Sequence, residues 1–309
     1  RLKYFNKFPL GINYYLFSFF SVMCGINLKT ELFITRNFFT LFLLILFNQK
    51  TIIEIHHDLS TESRIVKFLF KNFNILNKEK VVKVVAITKS VKDYLIKNLK
   101  VNSKKIEIIP SASSLKFKFK KFPNKNKYNI GYFGSLDESK GSRFIAKMSS
   151  LDKNNNYFIF GGTKKDLQNF RIKNDCRNIN LNKSIPYGKI QSYLSKMDIL
   201  LMPSNKRLLR SLGGVGNIAK YTSPLKLFDY MSSGKLIFLS NLKVFKEVVK
   251  NNVDCIMLDN LNVINWVDKI NKIKKNIIRV NYIKKNAYLK SKKYTYLIRA
   301  KKILNFDFF

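Results

Sequence analysis

The chain is poor in acidic residues, arginine and histidine. Its 309 residues include 19 Asp and Glu against 58 Lys and Arg, which gives a formal net charge of +39. Only 10 of the basic residues are Arg, and only 2 residues are His. Such an imbalance predicts an anionic partner, either nucleic acid or an acidic membrane surface. The joint abundance of Lys, Asn, Ile and Phe is also typical of an AT-rich coding sequence, which weakens that inference.

Cysteine and long apolar runs are scarce as well. Cys24, Cys176 and Cys255 are few, odd in number and far apart, which argues against a disulfide framework or a metal cluster and is typical of a reducing cytoplasm. The longest apolar run, FFTLFLLILF at 38–47, has about half of the ~20 residues that a membrane-spanning helix needs. We therefore expect a buried helix there, and we find no signal peptide. Because the chain begins with Arg1, we expect the N-terminal domain to be incomplete.

Short β-branched runs alternate with helix-length segments along the chain. The runs that predict strands are 31–37, 51–57, 81–88, 105–112, 128–135, 156–162, 178–182, 198–204, 235–240 and 255–258. Segments 38–48, 62–77 and 89–99 have apolar residues three or four positions apart and predict helices. This alternation is typical of parallel sheets covered by helices. We predict an α/β protein with two Rossmann-like domains facing a cleft.

The predicted domain boundaries follow from composition. LKFKFKKFPNKNK (115–127) is basic, contains Pro and lacks helical periodicity, so it predicts a linker between a truncated N-terminal domain (1–122) and a C-terminal domain (123–290). Residues 291–309 predict a basic helix that could cross back to the first domain. Residues 269–302 contain 13 basic residues and no acid. That tail could lie on a membrane as an amphipathic helix, or pack on the domain with a solvated Lys face.

The stretch YNIGYFGSLDESKG (128–141) predicts a strand, a tight turn and a helix start. Gly134 would let the backbone approach a ligand closely, and the turn would aim free N–H groups at an anion. Lys140 stands where it could neutralise a phosphate. A strand, a turn and a helix with a surface lysine is the alternative interpretation.

The stretch YTSPLKLFDYMSSGK (221–235) predicts a capped helix. Ser223 is a suitable N-cap, Pro224 suits the first helical position, and Gly234 suits the C-terminal cap. The partial positive charge of the helix N-terminus, reinforced by Lys226, would attract an anion.

The same helix has one acid among apolar residues. We expect Leu225, Phe228 and Met231 to pack inward and to leave Asp229 on a different face. There its carboxylate could accept two hydrogen bonds from a ribose diol. The alternative interpretation is a solvated helix acid.

This helix resembles the SPLKLFEYM-type signature of a branch of glycosyltransferase family 4, whose members are retaining enzymes of the GT-B fold. The likeness spans roughly residues 31–275 in the family's order, through AITKSVKDYLIKNL, KIEIIPSA, IGYFGSLDESKG, IPYGKIQSYLSKMDILLMPS and FKEVVKNNVDCIMLDN. It implies a hexosyltransferase that moves a sugar from a nucleoside-diphosphate sugar to a polysaccharide or lipid-linked acceptor. It also implies a cytoplasmic enzyme, peripheral on the inner face of the membrane, with no nucleic-acid partner.

The resemblance implies roles for individual residues. The residues implied at the donor diphosphate are Gly134, Ser135, Lys140, Ser223, Pro224, Leu225 and Lys226. Asp229, where the family usually has Glu, would bind the ribose, Ile185 would lie near the base, and Tyr221 is a weak candidate for the donor sugar. The EIHH segment makes His56 the implied active-site histidine, with the neighbouring His57 or a core histidine without a role as alternatives.

The resemblance implies no cofactor, and no metal is expected because the chain has no D-x-D motif. The chain departs from the family in three places. Ser135 replaces a common Arg, Tyr221 replaces a common Glu, and the family's first strand with its Gly-rich turn has no match. Three other interpretations therefore stay open: a nucleotide-binding-only or inactive homologue, a GT-B sugar-nucleotide epimerase, and a basic nucleic-acid-binding protein without a recognisable motif.

Overall fold

The computed structural model describes residues 10–210, 217–259 and 261–305, which form two α/β units. The first unit extends to Pro110 and also includes the chain from Lys302 onwards, and the second extends from Ser111 to Lys301. None of the helices in the described ranges is long and apolar enough to cross a membrane.

The first unit is a parallel sheet of four strands with helices between them. Its elements are α1 (Leu10–Asn27), β1 (Phe33–Thr35), α2 (Phe38–Leu46), β2 (Thr51–Ile55), α3 (Arg64–Asn72), β3 (Val81–Ala86), α4 (Lys89–Leu99) and β4 (Ile106–Ile108). The strands lie in the order β1-β2-β3-β4. Side chains cap the helices as the sequence favours: Asn37 caps α2, Ser63 caps α3 and Thr88 caps α4. Run 38–47 forms a helix, as predicted, and Leu41 and Leu44 are buried, but Leu46 at its end is 66% exposed.

The second unit is a six-stranded parallel sheet. Its elements are β5 (Asn129–Phe133), α5 (Ser142–Leu151), β6 (Asn156–Phe160), α6 (Lys164–Lys173), β7 (Ile179–Asn182), α7 (Tyr187–Ser195), β8 (Ile199–Met202), α8 (Leu225–Ser232), β9 (Leu236–Ser240), β10 (Ile256–Leu258), α9 (Val263–Ile273), α10 (Ile277–Ser291) and α11 (Tyr296–Leu304). The order β10-β9-β8-β5-β6-β7 is that of a doubly wound dinucleotide-binding fold. It reverses between β5 and β8, and ligands of such sheets bind at the carboxyl ends of the strands beside this reversal.

Apolar clusters cover both faces of the second sheet. Leu200 and Met202 of β8 belong to one cluster, and Ile199 and Leu201 belong to the other. A strand that is buried on both faces reads as a continuous apolar run, as DILLMPS does. All ten predicted strands are present, and the α/β class with parallel sheets is confirmed.

The boundary between the units lies at Pro110/Ser111 and not at 122/123. Segment 115–127 has no helix or strand, as predicted, but α10 holds it to the second unit. Tyr288 Oη donates to the Phe117 carbonyl (2.9 Å), and the Phe122 N–H donates to Asn281 Oδ1 (2.7 Å). A basic composition does not reveal such anchoring, because the carbonyls and N–H groups involved belong to the backbone.

The basic tail forms three helices instead of one. In α10, Val280, Ile283 and Ala287 are buried, so this helix packs on the unit and turns its other side to solvent. The predicted helix over 291–309 is α11, and residues 306–309 lie outside the described residues. The last residues of α11, from Lys302 onwards, belong to the first unit, where Ile303 joins an apolar cluster with Ile52 and Val85.

Gly141 provides a test of the second unit's packing. Its φ is +81°, and a Cβ there would lie 1.9 Å from the Pro203 carbonyl oxygen. We expect Gly141→Ala to lower the free energy of unfolding by at least ~2 kcal/mol, because both the left-handed backbone and the close approach disfavour a side chain. Urea unfolding followed through Trp266, the single tryptophan and fully buried in this unit, measures the change.

The matched control is Gly188→Ala in α7, where an added Cβ meets nothing within 4 Å. Because Ala has a higher helix propensity than Gly, the free energy of unfolding of this variant should be unchanged or higher by up to ~1 kcal/mol. Equal destabilisation by both substitutions would contradict the close-approach explanation.

Candidate functional site

The turn after β5 lies at the point where the strand order reverses. The sequence analysis predicted free N–H groups in this turn. The Gly134 N–H is not one of them, because it donates to the Phe160 carbonyl (2.9 Å). A Cβ at Gly161 would lie 1.8 Å from the Gly134 carbonyl oxygen, which shows how closely the two turns pack. Among the described residues, no acceptor is found for the next N–H groups, those of Ser135 and Leu136.

Helix α8 is attached to the end of β5 by tyrosine side chains. The Phe133 N–H donates to Tyr230 Oη (3.0 Å), and Tyr132 Oη donates to the Ser135 carbonyl (2.9 Å). The Lys226 ammonium lies 4.6 Å from the centre of the Tyr132 ring, in cation–π contact. These contacts bring the start of α8 to the turn after β5.

Two lysines converge on this turn. Lys140 Nζ donates to Ser135 Oγ (3.1 Å). Burial, together with the neighbouring Lys140, lowers the pKa of Lys226 to about 7. Neither ammonium forms an ion pair with a carboxylate of the described residues. A multiply charged anion would relieve the repulsion between them.

The start of α8 differs from the prediction. Pro224, not Ser223, is the N-cap, and no side chain caps the helix. Ser223 Oγ accepts from the Ser111 N–H (3.0 Å), and Ser111 Oγ donates to the Ser223 carbonyl (2.7 Å). The serine predicted as the cap is therefore engaged with a residue 112 positions away. The first-turn N–H groups of α8 are consequently left without a side-chain acceptor.

Leu225 is 51% exposed, which contradicts the prediction that it packs inward. It is the first residue of α8. Phe228 and Met231 are buried, as predicted. Gly234 follows the helix with φ +62°, as expected for its C-terminal cap.

Asp229 is 4% exposed, which rules out a solvated helix acid. Its Oδ1 accepts from Ser113 Oγ (2.6 Å) and from Tyr187 Oη (3.1 Å). Burial raises the pKa of this carboxyl group, while the two hydroxyl donors oppose the rise. Oδ2 has no hydrogen-bond donor in the described part of the chain. The carboxylate is thus fixed through one oxygen and keeps the other for a ligand.

Ile185 and Tyr221 lie on loops of the same unit. Ile185 follows β7, two positions before Tyr187, and packs partly buried against the apolar core. The Tyr221 N–H donates to the Ile218 carbonyl (3.0 Å) in a turn that precedes α8.

The sequence analysis missed four residues that build the site: Ser113, Tyr132, Tyr187 and Tyr230. Tyr132 could have been found, because it lies in the predicted strand two residues before Gly134. Ser113 could not, because its partner Asp229 is 116 positions away.

In the first unit, the two histidines have different surroundings. His56 follows β2, and its Nε2 contacts Oε1 of Glu54, which is 3% exposed and also pairs with Arg36 Nη2 (2.8 Å). In the neutral ring, Nε2 carries the proton that Glu54 accepts, so Nδ1 is left as an acceptor. His57 Nδ1 instead contacts the Asp58 carbonyl (2.7 Å). His56 is thus the histidine oriented by a buried carboxylate.

The described residues contain no group of three or more His, Cys, Asp or Glu that could hold a metal ion. The three cysteines are free, and Cys255 is buried. Burial raises the pKa of the Cys255 thiol to about 12, so this thiol is not a nucleophile at neutral pH.

A family comparison identifies the second unit. The family described as glycosyl transferases group 1 matches residues 113–290, more than half of the chain. The chain belongs to the group 1 glycosyl transferases. It is therefore a glycosyltransferase, and the matched range contains every residue that the sequence analysis predicted at the donor. No curated protein matches the chain by sequence.

Solved structures show the same fold at low sequence identity. HepE from Anabaena in complex with UDP-glucose has a TM-score of 0.68 at 12% identity, over 93% of this chain and 80% of that chain. Sucrose-phosphate synthase from Thermosynechococcus elongatus has a TM-score of 0.72 at 13% identity, and the match covers 98% of this chain and 79% of that chain. The lipopolysaccharide outer core galactosyltransferase WaaB, in its apo form, has a TM-score of 0.65 at 12% identity, over 98% and 82%. The fold is that of the GT-B glycosyltransferases.

The unpaired Lys226 leads to a prediction about stability and anion binding. Lys226→Met removes a half-buried charge that has no counter-ion among the described residues, so the ligand-free variant should be more stable than the parent by ~1 kcal/mol. Inorganic pyrophosphate should raise the melting temperature of the parent at pH 6.5 and have little effect on the variant. Differential scanning fluorimetry measures both.

Lys147→Met, which removes an exposed lysine from α5, is the matched control and should change neither quantity. Lys226→Arg adds a second control, because its charge does not titrate near pH 7. Pyrophosphate protection should fall between pH 6.5 and 8.5 in the parent, as Lys226 loses its proton, but not in this variant. A parallel fall in both would contradict the role of Lys226.

Proposed function

We propose that the protein is a retaining, metal-independent member of glycosyltransferase family 4 that transfers a sugar from a nucleoside-diphosphate sugar to a polysaccharide or lipid-linked acceptor. The observation that carries the proposal is the pair Lys140 and Lys226, which converge on the turn after β5 without a carboxylate partner in the described residues. The UDP-glucose complex of HepE, a protein of the same fold, supports a sugar nucleotide as the donor.

The geometry of the second unit supports a set of proposed donor contacts. The diphosphate would accept from both ammonium groups and from uncapped N–H groups at the start of α8. Asp229 Oδ2 would accept from the ribose diol, and the Tyr187 hydroxyl would hold the carboxylate in place through Oδ1. The base would then lie towards Ile185, two residues before Tyr187 in the loop after β7.

The chemistry would rest on stabilisation of the leaving group. When the bond between the anomeric carbon and the diphosphate breaks, negative charge develops on the departing oxygen. Fixed ammonium and N–H groups stabilise that charge without reorganisation, which is the role that a divalent cation fills in other sites. The transition state resembles an oxocarbenium ion. The acceptor oxygen then forms the new glycosidic bond on the face that the diphosphate leaves, and its proton passes to the leaving phosphate.

His56 would contribute positioning in this reaction. Its ring is held by Glu54, and its side chain is 35% exposed, so Nδ1 could accept a hydrogen bond from a sugar or acceptor hydroxyl. We propose an acceptor at the cytoplasmic face of a membrane. The fold shared with a lipopolysaccharide outer core galactosyltransferase and the net charge of +39 both support this location.

Donor identity can be tested by a thermal-shift screen of UDP, GDP, ADP and their common sugars. One nucleotide should raise the melting temperature by several degrees, and Asp229→Ala should lose most of the shift because the ribose contact is gone. Pyrophosphate protection should survive in Asp229→Ala, which separates the ribose site from the diphosphate site. Failure of every nucleotide to shift the parent would contradict the proposal. Turnover of the sugar nucleotide without an acceptor would favour the epimerase alternative.

A second prediction concerns His56. His56→Ala should lower kcat for sugar transfer by about 100-fold, in the range expected for a group that positions a reacting hydroxyl. It should leave the nucleotide-induced thermal shift unchanged, since the nucleotide contacts lie in the second unit. Transfer assays with the donor found above measure the first effect, and His57→Ala is the matched control. Full transfer activity in His56→Ala would remove this residue from the mechanism.

A further inference from the structure

Helix α3 in the first unit exposes large apolar side chains. Ile65 is 56% exposed, Phe68 is 60% exposed and Phe73, at the end of the helix, is 53% exposed. The rings of Phe68 and Phe73 contact each other, with their centres 5.9 Å apart. The inner face of the helix buries Val66 and Phe70. The exposed apolar residues are therefore additional to the core-facing ones.

Basic residues surround this apolar face. Arg64, Lys67 and Lys71 lie on α3, and segment 63–73 contains no acid. Arg64 and Lys71 are exposed. Exposed apolar side chains flanked by Lys and Arg are the features of a helix that lies in a membrane interface.

Helix α1 extends the apolar surface. Tyr15 Oη donates to Ser63 Oγ (2.8 Å), so α1 meets the start of α3. Ile12 and Phe19, three positions before and four after Tyr15, lie on the same side of α1 and are 48% and 41% exposed. No residue of Leu10–Asn27 is charged. We call Ile12, Phe19, Ile65, Phe68 and Phe73 with Arg64 and Lys71 the α1–α3 face.

The charge of this face favours one kind of occupant. A second copy of the chain would bring like charges of α3 together in a protein whose net charge is already +39. An anionic bilayer offers both a negative surface for the basic residues and a hydrocarbon layer for the Phe and Ile side chains.

We propose that the α1–α3 face docks the first unit on the surface of an anionic lipid bilayer, with the Phe68 and Phe73 rings inserted among the lipids. The proposal deepens the membrane location proposed above, and it relocates the contact from the basic tail to the first unit. In α10 the apolar residues Val280, Ile283 and Ala287 are already buried. On its other side α10 also exposes Ile278, Tyr282 and Leu289 among basic residues, so α10 is the competing surface. Helix α3 differs because two Phe rings in mutual contact and basic residues lie together in one short helix.

Vesicle flotation of the full chain tests the proposal. The protein should bind vesicles of phosphatidylglycerol and phosphatidylcholine, and bind phosphatidylcholine alone much more weakly. Phe68→Ser with Phe73→Ser should reduce the partition coefficient about tenfold or more in the mixed vesicles. Arg64→Gln with Lys71→Gln should reduce it about fivefold for each charge removed, and only in vesicles that contain the anionic lipid.

Two controls make the test specific. Helix α6 carries the same residue pair, Arg171-Ile172, as Arg64-Ile65 of α3, and Ile172 is 83% exposed. Arg171→Gln with Ile172→Ser should leave binding unchanged. Ile278→Ser with Arg279→Gln removes the corresponding pair from α10 and should have little effect. A large loss from the α10 variant with none from the α3 variants would overturn the assignment of the surface to α3.

A fluorescent probe reports the depth of insertion. The single native Trp266 is fully buried, so the fluorescence of a Phe68→Trp variant that responds to vesicles arises at position 68. Its emission should shift to the blue on addition of mixed vesicles. The absence of an emission shift would overturn the proposal. An emission shift that appears without lipid and rises with protein concentration would also overturn it, because that result would indicate self-association through this face.

The increase in melting temperature that a nucleotide causes should be the same in every α3 variant as in the parent. Failure of docking is therefore distinguishable from failure of donor binding.

Discussion

The contact between the start of α8 and the turn after β5 determines the geometry of the candidate site. Tyr230 Oη accepts from the Phe133 N–H (3.0 Å), which holds α8 against β5. The Lys226 ammonium lies over the Tyr132 ring, 4.6 Å from its centre, so a second tyrosine positions the cation at the start of α8. A doubly wound sheet opens a crevice where its strand order reverses, and α8 begins beside that crevice. The helix start, the two lysines and Asp229 become one site only because this contact holds α8 in place.

The fold could be predicted from the sequence, because it depends on local patterns. The ten strands and the helix at 38–47 follow from β-branched runs and apolar spacing, which need no knowledge of distant residues. The helix α1 escaped prediction because Leu10–Asn27 is apolar on all sides, contains no charge and gives no periodic signal. The boundary at Pro110/Ser111 escaped for a different reason. The hydrogen bonds between segment 115–127 and α10 involve backbone groups of the segment, and amino-acid composition does not predict such bonds.

The candidate site was predictable in position but not in detail. Gly134, Lys140, Lys226 and Asp229 were found from their spacing around a predicted strand and helix. Ser223 is suited to an N-cap by residue type alone, yet its hydroxyl accepts from Ser111 instead. Asp229 could be placed on α8, but its burial depends on Ser113 and on residues from other elements. In each case the sequence identified the group, and a partner far along the chain decided what the group does.

Two buried lysines in this chain, Lys83 and Lys284, show why the half-buried Lys226 differs from a structural charge. Lys83 Nζ pairs with Glu107 (2.9 Å) and donates to the Lys302 carbonyl (2.8 Å). Lys284, 2% exposed, donates to the Lys120 carbonyl (3.1 Å) and lies over the Phe122 ring (5.1 Å). Both have oxygen acceptors that offset the loss of water.

Lys226 has an aromatic ring and a second lysine as neighbours, and no oxygen acceptor among the described residues. An AT-rich coding sequence accounts for many lysines on a surface, but not for a partly enclosed lysine beside another cation. Such a charge disfavours the folded state, and the diphosphate that we propose as the ligand would supply the missing acceptor. In this proposal, the affinity for the diphosphate and the lower stability of the ligand-free state have the same origin.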